Sequence, residues 1–196
     1  MRIRRWILLG CVAGSLAALP ATAAAEPAEC VAGKPTAASY TWNFQTEARD
    51  LLQQVQSEAT QVRQHASVLK HLARNVDFGW ESQVDQLDLV KAEVNDMGAK
   101  LCRLTVIRRV AAPWQQAAID RITPELQMIA NNADDAIQFV NRHQEALWQP
   151  VYTRYVDNLY QEANSVSNTV NNFEAYAHAR TEYRELRETL GIKTSS

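Results

Sequence analysis

His65, Glu93, Asp134, Asp135 and His143 are the side chains of this sequence best suited to hold a cation or a polar ligand, since carboxylates and imidazoles are the common donors. Asp134 and Asp135 close the polar run Asn131-Asn132-Ala133-Asp134-Asp135, and a second polar run spans Asn164 to Asn168. Asn, Asp and Ser are mediocre helix formers, so two such runs inside long helices weaken them locally. That cost fits a polar pocket, a hinge or a solvated face. Folding the chain back near Pro150 sets the two runs level, and folding about Pro113 and Phe78 brings Glu93 and His65 to the same height. Ala133, Ala136, Val166 and Val170 maintain an apolar stripe through both runs, which weighs toward the solvated face.

His143 stands where the stripe of its helix calls for an apolar residue, and Trp80, Trp148, Tyr152 and Tyr155 are expected at the same end. A histidine among aromatics can be an axial ligand to a tetrapyrrole or a pH-sensitive latch. More often it is a core-edge histidine hydrogen-bonded to a tyrosine. No second haem ligand stands level with it.

Catalytic signatures are missing from the expected mature chain. It contains no G-x-S-x-G, no phosphate-cradling glycine loop, no H-E-x-x-H and no C-x-x-C-H. Glu174 and His178 are four apart, not the three of the Glu-x-x-His di-iron pair. The sequence names no cofactor, and a metal or tetrapyrrole enters only through the candidates above. A formal net charge of −2, without runs of like charge, gives no electrostatic support for a nucleic-acid partner. Lys100, Arg103, Arg108 and Arg109 with Arg180, Arg184 and Arg187 gather at one end and suggest contact with anionic lipid headgroups or an acidic partner. Glu182, Glu185 and Glu188 intersperse the last set, so a neutralised, solvated terminus is the simpler account.

The elements that must position these residues begin after a targeting segment. Arg2, Arg4 and Arg5 precede an apolar run from Trp6 to Leu19, Pro20 breaks it, and Ala23 and Ala25 supply an A-x-A pattern. Residues 1–25 therefore read as a signal peptide cleaved near Ala25, giving a periplasmic or secreted protein. Only a few apolar residues precede Cys11, which argues against a lipoprotein box there. Residues 26–39 read as an extended arm. Cys30 and Cys102 survive cleavage, and an even pair in an exported chain points to a disulfide. It would close a loop of about 70 residues and add roughly 4 kcal/mol.

Residues 40–191 read as one all-α domain with helices at about 41–75, 80–111, 113–148 and 151–190, followed by a tail over 192–196. The first helix carries Ala48, Leu52, Val55, Ala59, Val62, Ala66, Leu69, Ala73 and Val76 in unbroken four-three alternation, the seam of a coiled coil. The others repeat the stripe. In the fourth it shifts late, to Tyr176, Tyr183, Leu186 and Leu190. Thr123-Pro124-Glu125 resembles a cap and an N1 proline, so the third helix is expected to divide or kink there. The architecture expected is an elongated antiparallel, up-down-up-down four-helix bundle with coiled-coil-like packing. No apolar run of the mature chain is long enough to span a membrane.

Such a chain is expected to be a non-catalytic envelope protein acting by protein-protein interaction, scaffolding or self-association. The alternative is a small-ligand, metal or tetrapyrrole carrier using His143 or the polar middle.

Overall fold

The computed structural model describes residues 43–75 and 79–192. The expected signal peptide, the arm with Cys30, and residues 193–196 lie outside them. Among the described residues the chain is all-helical, with four long α-helices: α1 (Phe44–Ala73), α2 (Trp80–Ile107), α3 (Pro113–Arg142) and α4 (Pro150–Thr189). Short 3-10 turns follow α2 at Arg108–Val110 and α3 at Gln144–Ala146.

Three of the four helices start for a local reason. The Asn43 side chain accepts from the backbone N–H groups of Gln45 and Thr46, both at 3.1 Å, satisfying two donors that the first turn would otherwise leave bare. Pro113 and Pro150 occupy the opening turns of α3 and α4, where a missing N–H costs nothing, and each follows a residue in extended conformation. Gln115 adds a tertiary tie. Its Oε1 accepts from the Ala112 N–H at 2.8 Å while its Nε2 donates to the Gln45 carbonyl at 2.7 Å, so one buried side chain fastens the start of α3 to the start of α1.

Pro124 does not divide α3, which runs unbroken through it. Thr123, expected as a cap, instead donates its hydroxyl back to the Ile119 carbonyl at 2.7 Å, the helical alternative open to a threonine.

The helices pack as a bundle in which α1 lies against α2 and α4, and α3 completes the set against α2 and α4. The stripe of α1 is its spine: Leu52, Val55, Ala59, Val62, Ala66 and Leu69 are fully buried. Facing them are Leu87, Val90, Met97 and Leu104 of α2, Ile122 and Ile129 of α3, and Leu159, Val166 and Val170 of α4. Polar contacts fix the heights. Thr60 meets Ser167 at 3.2 Å, Arg63 meets Asn164 at 3.1 Å and Lys70 meets Asp157 at 2.6 Å, so residue numbers rise along α1 as they fall along α4. Extending that register sets Phe44 opposite Tyr183.

Gly191 ends α4 with a φ of +67°, a conformation natural to glycine. The Ile192 N–H reaches the Arg187 carbonyl at 3.1 Å and the Gly191 N–H reaches that of Glu188 at 3.2 Å. This is a Schellman stop, so the last turns of α4 are a finished helix end.

Candidate functional site

The five candidate ligands do not converge. His65 is half-buried on α1 and its Nδ1 pairs with Oε1 of Gln86 at 3.0 Å, a turn or more from Glu93 along α2. Asp134 and Asp135 are exposed, and Asp134 accepts from Gln138 of its own helix at 2.6 Å. Among the described residues there is no group of three or more His, Cys, Asp or Glu side chains that could hold a metal ion.

The expected level of the polar runs is also corrected. Asn132 donates to Glu162 at 3.0 and 3.1 Å and accepts from Asn158 at 3.1 Å, so it faces residues below the run Asn164 to Asn168. The cause lies in the turn. Helix α3 stops at Arg142, and residues 143–149 form the connection. Moving a turn by a few residues moves the facing residue by twice as many.

His143 is corrected with it. It is the residue that ends α3, at φ −138°, and it is exposed, outside the core stripe. Its ring stacks on Phe139 at 4.6 Å between centroids, and Phe139 stacks in turn on Tyr152 at 5.7 Å. The Nδ1 atom lies 3.3 Å from the Phe139 carbonyl, and among the described residues no tyrosine hydroxyl bonds it. The aromatic end is split: Tyr152 is fully buried, while Trp148 is among the most exposed large side chains.

Of Lys100 and Arg103 on α2 and Arg108 and Arg109 in the 3-10 turn after it, three are neutralised by carboxylates. Arg103 grips Glu47 with both arms, Nε to Oε1 at 2.6 Å and Nη2 to Oε2 at 3.1 Å. Arg108 forms the same fork with Asp120 across the α2–α3 turn, and its hydrogen bonds hold that carboxyl below the ordinary range. Lys100 pairs with Glu58 at the α1–α2 seam and reaches Asp96 at 3.7 Å. Burial pushes the Glu58 carboxyl up, and Lys100 offsets only part of that. Burial works against the Lys100 ammonium, yet Glu58 and then Asp96 outweigh it and raise its pKa.

Two features went unrecognised in the sequence as possible sites. One is a groove of about 460 Å³ between the first turns of α1 and α3 and the last third of α4, lined by Arg49, Trp114, Glu174, His178, Arg180 and Arg184. Glu174 Oε1 is buried there without a hydrogen-bond partner among the described residues. Its lining comes from helices far apart in the chain, which no local motif reveals. The second is the late stripe of α4. Tyr176, Tyr183, Leu186 and Leu190 are 56, 67, 61 and 68% exposed, whereas the earlier stripe residues Val156, Leu159, Ala163, Val166 and Val170 are fully buried. The signal for it was the shift in phase.

Comparison with known proteins finds no family model, no curated protein and no solved structure that matches this chain. No helix among the described residues is long and apolar enough to cross a membrane.

Proposed function

We propose that this chain is an exported, non-catalytic helical bundle that acts by protein-protein interaction or self-association in the cell envelope. The observation that carries the reading is the uncovered apolar face at the end of α4, on a bundle whose other stripes are filled. Contiguous apolar patches that a fold leaves exposed mark contact surfaces. Export rests on the pattern from Arg2 to Ala25. The cross-strapped contacts of α1 with α2 and α4 support an up-down-up-down arrangement with coiled-coil-like seams. A Cys30–Cys102 bond belongs to the same reading: Cys102 is half-buried on α2 and is not a free thiol. Paired as they are, Lys100, Arg103 and Arg108 offer little to anionic lipid.

A carrier remains the second reading, and the groove beside Trp114 is what favours it. Its arginines suit an anionic group, and the unpartnered Glu174 oxygen suits a donor on the same ligand.

Native mass spectrometry of protein purified from its host's envelope separates the two. The interaction reading expects the bare polypeptide mass, alone in multiples or with another protein. A stoichiometric small molecule or metal, lost in Arg180→Ala or Glu174→Gln, would overturn it in favour of the carrier.

A further inference from the structure

The late stripe of α4 has a definite geometry. Tyr176, Ala179, Tyr183, Leu186 and Leu190 fall at alternating three and four spacing, the a and d positions of two heptads. All five are exposed, and the Schellman stop at Gly191 ends the helix directly after the stripe. Since Phe44 stands opposite Tyr183, the last two turns of α4 extend past the first turn of α1.

We infer that this face docks a second copy of the same chain as a parallel two-stranded coiled coil; the inference rests on the interaction reading above and names its partner. The flanking charges make the selection. Glu182 holds the g position before Tyr183, and Arg187 holds the e position after Leu186. In a parallel pair, g of one helix faces the following e of the other, so each Glu182 meets an Arg187 of the second copy, twice by symmetry. An antiparallel pair would instead set e against e, bringing Arg180 onto Arg187. Glu182, Arg180 and Arg187 form no ion pair among the described residues, so each is available for this role. Because the helix is already built, docking carries no folding cost. The contact is nevertheless short, which sets the dissociation constant at roughly micromolar to tens of micromolar.

The test is sedimentation equilibrium of the full mature chain up to about 100 µM, a range that covers that affinity, with helical content followed by circular dichroism. Wild type is expected to dimerise. Glu182→Arg and Arg187→Glu should each weaken the dimer roughly tenfold by setting like charges together, and Leu186→Asp roughly a hundredfold. The combination E182R/R187E, whose charges again match in a parallel pair, should restore wild-type affinity. Helical content should be unchanged throughout, since all three sites lie on the outside. Failure of the double variant to recover would overturn the parallel arrangement. A dimer indifferent to all four variants would overturn this surface while leaving self-association standing. A monomeric wild type would overturn the inference, and only if native mass spectrometry also found a small ligand in place of a protein partner would the interaction reading fall with it.

Discussion

The stripe of α1 and the late stripe of α4 obey the same spacing and meet opposite fates. From Ala48 to Leu69 every stripe residue of α1 is fully buried, whereas Tyr176, Tyr183, Leu186 and Leu190 of α4 are more than half exposed. Composition explains part of the contrast. The α1 stripe mixes alanine with branched aliphatics, which lets α2 and α4 approach closely on either side. Tyrosine in the α4 stripe keeps a polar tip that tolerates water until a partner arrives. Spacing thus says that a face wants covering, and side-chain size and polarity say whether the cover is permanent.

Truncating the two stripes is the sharpest way to break this contrast. Leu52→Ala should cost about 2–5 kcal/mol in chemical denaturation, because the seam around it cannot collapse freely. Leu186→Ala, measured on dilute protein, should stay within about 0.5 kcal/mol. Equal losses would mean that the end of α4 is a hidden part of the fold.

Next in size is the ion pair set into the α1–α2 seam. Lys100→Ala leaves Glu58 buried with one carboxylate oxygen already lacking a partner, and a loss of about 2 kcal/mol is expected. The double change Glu58→Leu with Lys100→Met should recover most of it if the seam is generically apolar. A double variant as unstable as the single would show that the charges specify the packing.

Smaller, and opposite in sign, is Tyr152→Phe. The Tyr152 hydroxyl is buried and has no hydrogen-bond partner among the described residues, so its removal should be neutral or stabilise by up to about 1 kcal/mol. Burial also pushes its pKa far above the ordinary 10.0, and Lys100 is raised above 10.5. Folded protein therefore holds protons that the unfolded chain releases, so both contributions are complete below about pH 10 and are lost as pH rises beyond it. Tyr152→Phe should make that alkaline decline shallower, and an unchanged slope would exclude the phenol as a contributor.

The least effect is expected at Gly98, in the exposed middle of α2. A Cβ there would meet nothing within 4 Å, so no close helix packing uses the glycine. Gly98→Ala should stabilise by about 0.5–1 kcal/mol, read from the shift in denaturation midpoint.

Much of the bundle was legible because burial imposes periodicity: the α1 stripe and the late phase shift of α4 could both be read before any coordinate. What failed did so at helix ends. His143 lengthens the α3 stripe by arithmetic alone, yet the helix stops at Arg142, without the glycine or proline that usually announces a stop. One misplaced end then displaced the polar runs by about two turns, and with them the imagined meeting of Asp134, Asp135, Glu93 and His65. Thr123-Pro124 misled for the complementary reason, since a cap and a tolerated mid-helix proline share one sequence. The groove beside Trp114 was invisible because its walls are joined only by folding.

Gln115 shows how the two halves of the chain are made to open and close together. Its amide holds the Ala112 N–H with one atom and the Gln45 carbonyl with the other. Hydrogen exchange at the first turns of α1 and α3 should therefore be concerted, with neither helix fraying alone while that amide is in place. The chain fastens α1 to a segment begun some seventy residues later, so the opening turns of α1 gain full protection only after α3 has been made and docked.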